Sequence, residues 1–135
     1  MIAAEARVAF LRRIHLFRDL RDDDLIVVAE RLKEEVFTEG ATVFSQGGEA
    51  DRFYIIYQGR VNITMVRKKE VLDLATLIGG DYFGEEALLS RRERSATVTT
   101  MEKTYLFSLT RLEFNAIIKQ FSRLKAASTT RHSRC

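Results

Sequence analysis

Residues 83–98 read FGEEALLSRRERSATV. Gly84, Glu85 and Glu86 stand at one end, Arg91, Arg92 and Arg94 crowd the other, and Ala87, Leu88 and Leu89 between them are apolar. Glycine turns a chain where a side chain would clash. The apolar piece has the length for about one helical turn beginning near Glu85. A helix N-terminus presents unpaired N–H groups that suit an anion. Arg94 follows Gly84 by ten residues, enough chain to return beside that turn and offer a guanidinium fork to the same anion. Ser95 adds a hydroxyl donor.

A carboxylate such as Glu85 repels a phosphate at close range. It belongs in such a place only if it accepts hydrogen bonds from a neutral part of the same ligand, such as a sugar hydroxyl. A ligand carrying a phosphate and a ribose hydroxyl close together satisfies both ends. The competing reading is a solvated charged turn, in which Arg94 forms a surface ion pair with Glu93 or Glu85.

The chain around this stretch is ordered by its glycines. All seven lie between Gly40 and Gly84, and glycine punctuates turns. The flanks lack it and carry helical patterns, so the expected order is helices, strands, helices. Leu25, Val28, Ala29 and Leu32 repeat at helical spacing, with Asp22, Asp23 and Asp24 placed to cap and charge a first turn. His15 reads as part of an ordinary amphipathic helix. After the strands, TRLE (110–113) matches a capping box, and Phe114, Ile117, Ile118 and Phe121 continue as a packing stripe. Between the flanks the period is two. FYIIYQGRVNITMV (53–66) reads as a hairpin about Gln58-Gly59, with Val61, Ile63 and Met65 on a buried face. EVLDLATLIGG (70–80) and SATVTTMEKTYLFSL (95–109) supply further strands. Seven or eight short strands point to a β-sandwich or barrel.

Composition narrows the function. The 135 residues suit one domain with a net charge of +3, too balanced to argue for nucleic acid. Cys135 is the sole cysteine and cannot staple the fold, so a reducing cytoplasm is the expected setting. Glu5 and Arg7 interrupt the apolar start, which makes a poor signal peptide. No stretch is long enough for a membrane span. His15 and His132 are far apart, and no metal or nucleophile motif is present, so neither metal nor enzyme chemistry is expected.

FGEEALLSRRERSATV resembles the phosphate-binding cassette of cyclic nucleotide-binding domains. That family's pattern is F-G-E, one residue, A-L, a short variable piece, then R-[S/T/A]-A. Phe83, Gly84, Glu85, Ala87, Leu88, Arg94, Ser95 and Ala96 fill it. EGATVFSQGGEADRFYIIYQGRV (39–61) resembles the family's first strands, and GGDYFGE (79–85) its entry into the cassette. The resemblance covers roughly residues 10 to 125.

It implies an eight-stranded jelly-roll β-barrel with flanking helices: an N-terminal helical segment over 1–37, a core over 38–109, a C-terminal helical segment or lid over 110–127 and a polar tail over 128–135. It implies that Glu85 and the Gly84 backbone hold the ribose 2′-hydroxyl and that Arg94 pairs with the cyclic phosphate. Amides near Glu86 and Ala87 and the Ser95 hydroxyl complete the cradle, with Ile63 and Leu74 on the inner wall as sugar or base contacts or as core filler. Phe121 or Leu124 would approach the base. Arg91 and Arg92 fall in the variable piece. In the family a threonine after the arginine goes with cGMP and an alanine with cAMP in kinase regulatory subunits. Ser95 lies between, and ERSA is closest to catabolite-activator-type domains, so cAMP is favoured over cGMP. The implied function is a non-enzymatic sensor, without direct nucleic-acid binding. On binding, its C-terminal helices would move to control a fused or associated effector: a channel, transporter, kinase or regulator. The chain is expected to be one domain of a larger protein or a small stand-alone sensor. The alternative is a non-sensing member of the fold that serves as an assembly scaffold; such members typically lack the acidic or the arginine partner, and this chain has both.

Overall fold

The computed structural model describes residues 2–84, 93–117, 119 and 120. Helices α1 (Ala4–Arg12) and α2 (Asp22–Arg31) flank a 3₁₀ turn, His15–Phe17. The strands are β1 (Lys33–Phe37), β2 (Thr42–Phe44), β3 (Arg52–Gln58), β4 (Arg60–Arg67), β5 (Glu70–Ile78), β6 (Tyr82–Phe83), β7 (Thr97–Thr100) and β8 (Thr104–Thr110). A helix, α3, covers 111–117. The protein is mainly β with flanking helices. Its strands form two antiparallel four-stranded sheets, ordered β1-β8-β3-β6 and β2-β7-β4-β5. This sharing of the strands between two sheets is the jelly-roll arrangement, and the two ladders remain separate rather than closing into one barrel.

The first sheet is covered on both faces, which explains the unbroken apolar run of β3. Successive side chains point to opposite faces. Phe53 and Ile55 pack with Phe107 and Leu109 of β8 against Leu11, Ile14, Leu25, Val28 and Phe114 of the helical layer. Tyr54 and Ile56 turn inward to meet Val61 and Val98 of the second sheet. The α2 stripe of Leu25, Val28, Ala29 and Leu32 is buried as its spacing predicts. Asp24 accepts the Arg21 N–H at 3.2 Å, and Asp22 opens the first turn. At the start of α3 the Thr110 hydroxyl accepts the Glu113 N–H at 3.1 Å, while the Glu113 carboxylate accepts the Thr110 N–H at 3.0 Å, which is a complete capping box. Ile118 and Phe121 of the same stripe lie outside the described residues.

Three expectations are corrected. Strand β1 falls within the stretch 1–37 read as helical, because Lys33–Phe37 pairs along β8. His15 sits exposed in the 3₁₀ turn rather than on an amphipathic helix. The segment 53–66 is not a hairpin: β3 pairs with β8 and β6, β4 with β5 and β7. Gly59, at φ +122°, is the corner where the chain leaves one sheet for the other. The real hairpin joins β4 to β5 through Lys68 and Lys69, at φ 52° and 68°, with Arg67 opposite Glu70. That turn carries none of the Asn-Gly or Asp-Gly chemistry by which such turns are found in a sequence.

Arg7 ties the helical layer to the sheet. Its guanidinium donates to the Ala29 and Leu32 carbonyls at 3.0 and 2.8 Å and to the Glu34 carboxylate at 2.9 Å, and it lies over the Phe107 ring at 5.2 Å. The backbone N–H of Ile2 and then Arg7 hold the Glu34 carboxyl below its ordinary value of 4.5. A depressed folded value contributes stability above the unfolded one, and that contribution is lost as pH falls through the folded value. Arg7→Ala removes the side-chain donor to the Ile2, Ala29 and Leu32 carbonyls and leaves the Glu34 carboxylate, among the described residues, only the Ile2 N–H, so it is expected to lower the unfolding free energy by about 2–3 kcal/mol. Urea titration checks this. A loss under about 0.5 kcal/mol, the range of ordinary surface changes, would refute the tie.

Candidate functional site

A cavity of about 270 Å³ opens between the sheets, lined by Phe44, Ile63, Leu77, Tyr82, Phe83, Gly84, Arg94, Ser95, Ala96 and Val98. A larger one, about 750 Å³, lies between α1 and the end of β3. The smaller one has the chemistry, because it holds a buried cation.

Arg94 is 3% exposed. Its backbone is pinned to the glycine turn at 47–48: the Gly47 N–H donates to the Arg94 carbonyl and the Arg94 N–H to the Gly48 carbonyl, both at 2.7 Å. Its guanidinium donates from Nη2 to the Arg52 carbonyl at 2.6 Å and from Nη1 to the Gly84 carbonyl at 3.3 Å. Nε is buried without a hydrogen-bond partner among the described residues. The nearest carboxylate oxygen in an ion pair is Asp51 Oδ1 at 3.9 Å, on a side chain 71% exposed. Burial pushes the guanidinium below its ordinary pKa, with Tyr54 and Asp51 opposing the shift and Arg111 adding to it. An arginine stays cationic in proteins all the same, so the site carries a fixed positive charge that the described residues compensate incompletely.

Gly84 is required by geometry. At φ +90°, a Cβ there would stand 2.9 Å from Arg94 Nη1 and 3.2 Å from the Arg52 carbonyl oxygen. Beside it, Phe83 is buried and stacks on Tyr54, centroids 5.2 Å apart at 14°. Burial, and then the Glu35 carboxylate, raise the Tyr54 hydroxyl to about 12, so it remains a neutral phenol.

The fold therefore brings Phe83, Gly84, Arg94, Ser95, Ala96 and Ile63 to one cavity. Leu74 is elsewhere: it is 48% exposed, because Ile63 pairs with Ala75 and Thr64 with Asp73, leaving Leu74 as the extra residue of a bulge. Leu77 takes the wall position instead. Glu85, Glu86 and Ala87, together with Arg91, Arg92 and Leu124, lie outside the described residues. Sequence reasoning missed Phe44, Asp51 and the Arg52 carbonyl. A backbone acceptor leaves no residue-type signal, and a phenylalanine in a strand reads as core.

A family model described as cyclic nucleotide-binding domain matches residues 34–121. This chain belongs to the cyclic nucleotide-binding domain family. It is 33% identical over 125 residues to cGMP-dependent protein kinase, isozyme 1, of Drosophila melanogaster, covering 90% of this chain and 16% of that protein. It is also 33% identical over 112 residues to a cAMP-dependent protein kinase regulatory subunit of Dictyostelium discoideum, covering 80% of this chain and 34% of that one. It thus spans about a sixth and a third of these two relatives. Among solved structures, it resembles the regulatory domain of Toxoplasma gondii PKA, co-crystallised with cAMP, at TM-score 0.83 and 26% identity over 95% of this chain and 50% of that one. The Thermus thermophilus catabolite activator protein matches at TM-score 0.75 and 27% identity, over 87% and 57%. No helix among the described residues is long and apolar enough to cross a membrane.

Proposed function

We propose that this domain senses a cyclic nucleotide, cAMP in preference to cGMP, and passes the binding event through its C-terminal helical segment to an attached or associated effector. The observation that carries the reading is the buried Arg94 guanidinium, bordering the cavity with one N–H unpartnered among the described residues. A buried cation is costly unless paired, and a cyclic phosphate is the anion the cassette pattern supplies. Gly84 then leads into Glu85, which takes the ribose hydroxyl. The amides near Glu86 and Ala87 and the Ser95 hydroxyl complete the cradle. The Toxoplasma structure with cAMP and the Dictyostelium regulatory subunit support cAMP; the Drosophila kinase makes cGMP the competitor to test.

The route outward also has support. The N–H of Arg111, at the start of α3, donates to the Asp51 carbonyl at 3.0 Å, and its side chain donates to the Ala50 carbonyl. The next carbonyl, that of Arg52, receives Arg94. Ligand-binding arginine and C-terminal helix therefore grip three consecutive peptide groups. A change at one is felt at the other.

A thermal shift with cAMP, cGMP and AMP tests this reading. A ligand at about a hundred times its Kd stabilises the fold by about 2.7 kcal/mol, roughly 5–10 °C for a chain of this length. The expected order is cAMP, then cGMP, with AMP without effect. No shift with either cyclic nucleotide would leave the scaffold reading. A larger shift with cGMP would reverse the preference, and an equal shift with AMP would remove selectivity for the cyclic phosphate.

A further inference from the structure

We infer that Phe44 is a positioning residue for the anion site: its ring seats the Arg94 guanidinium while leaving the charge free for the phosphate. The inference rests on the reading of the cavity as the cyclic nucleotide site and names a residue that reading does not require. Arg94 Cζ lies 3.9 Å from the centroid of the Phe44 ring, well inside the range of a cation–π contact. Phe44 is half-buried on β2 and lines the same cavity. Its ring is fixed in turn against Tyr54 and Phe83, at centroid distances of 5.9 and 5.7 Å. Three aromatics from three strands thus hold the seat.

The chemistry of that seat is what matters. A guanidinium taken out of water needs compensation. A close carboxylate would provide it but would compete with the ligand, since the phosphate would have to displace an anion already in place. Among the described residues Arg94 is instead held by two carbonyl dipoles and a quadrupole, all neutral, and its ion pair with the exposed Asp51 is long. Neutral compensation keeps the cation buried and aligned without cancelling its charge. Phe44 supplies the part that no backbone group can, because its ring lies against Arg94 Cζ and takes up no N–H, leaving Nε to a ligand.

Phe44→Leu keeps the site apolar and removes the ring. It is expected to weaken cAMP binding about tenfold, which corresponds to about 1.4 kcal/mol. Phe44→Tyr restores the face and is expected to bind within about twofold to threefold of the wild type on the same ground. The decisive measurement is a double-mutant cycle by calorimetry with Arg94→Lys. A lysine ammonium has no planar face to lie on the ring, so in that background Phe44→Leu should cost no more than about threefold. An equal tenfold loss in both backgrounds would show that Phe44 does not act by seating the planar guanidinium and would overturn the inference. So would a Phe44→Leu variant that binds like the wild type while Arg94→Ala does not bind. A wild type that binds no cyclic nucleotide would overturn the underlying reading, and this inference with it.

Discussion

Arg94→Ala is expected to weaken cyclic nucleotide binding by about 2–5 kcal/mol, the range for losing one partner of a buried charge pair. Geometry sets this size. The guanidinium is 3% exposed, so water does little to screen it. Its Nε is unpartnered among the described residues, and the neighbouring groups that hold it are neutral carbonyls and an aromatic ring. Its charge is available to a phosphate, and no other described arginine lines that cavity. The substitution also leaves the Arg52 and Gly84 carbonyls without their donor, so apparent affinity must be measured alongside the melting temperature of the ligand-free variant. Arg94→Lys separates the two effects. It keeps the charge but lacks the planar fork, and its affinity should fall between wild type and alanine. Glu85→Gln should cost less than Arg94→Ala, since it weakens a charge-assisted bond to a neutral hydroxyl. Unchanged affinity in a folded Arg94→Ala variant would remove Arg94 from the site. A loss for Glu85→Gln as large as that for Arg94→Ala would count against the sugar role.

How far the sequence foretold this arrangement depends on the kind of interaction. The spacing of FGEEALLSRRERSATV predicts that Arg94 returns beside Gly84, and the two meet at 3.3 Å. Local chemistry was equally legible: the capping box of Thr110 and Glu113 closes, and the α2 stripe is buried. These features depend on residues near one another in the chain. What sequence could not carry was long-range register. One bulge between Ala75 and Asp73 moves Leu74 out of the wall and leaves Leu77 in it, because a one-residue slip flips every later side chain to the other face. The partners of Arg94 at Asp51 and Arg52, 43 and 42 residues away, come from the same source. The false hairpin at 53–66 is the most instructive case. Two β-rich arms about a glycine look alike whether the glycine makes a tight turn within one sheet or a corner between two, and only the pairing of each arm with other strands distinguishes them.

That corner makes Gly59 the position with the largest expected effect on stability. A Cβ there would lie 2.5 Å from Thr104 Oγ1, 2.7 Å from Thr104 Cα and 2.8 Å from Thr104 Cβ. Rotating the threonine side chain cannot relieve a clash with its own backbone. Nor can Thr104 withdraw: it is fully buried, its hydroxyl donates to the Glu102 carbonyl at 2.8 Å and accepts the Arg60 N–H at 3.2 Å, and it begins the strand that pairs with both β1 and β3. The φ of +122° adds strain for any L side chain, about 1–3 kcal/mol, and forcing the extra carbon into a packed corner adds about 1–3 kcal/mol more. Gly59→Ala is therefore expected to cost about 2–6 kcal/mol, a large share of the 5–15 kcal/mol that holds a domain together. Gly40→Ala is the internal control. Its φ is +79° but nothing lies within 4 Å of the added carbon, so it bears the conformational term alone, about 1–3 kcal/mol. Thr104→Ala in the Gly59→Ala background should recover little, because Cα and Cβ remain in the way. Urea unfolding of the four proteins gives the comparison. If Gly59→Ala is no less stable than Gly40→Ala, the corner is not the tight crossing that sends β4, and with it Ile63, across to the sheet that walls the cavity.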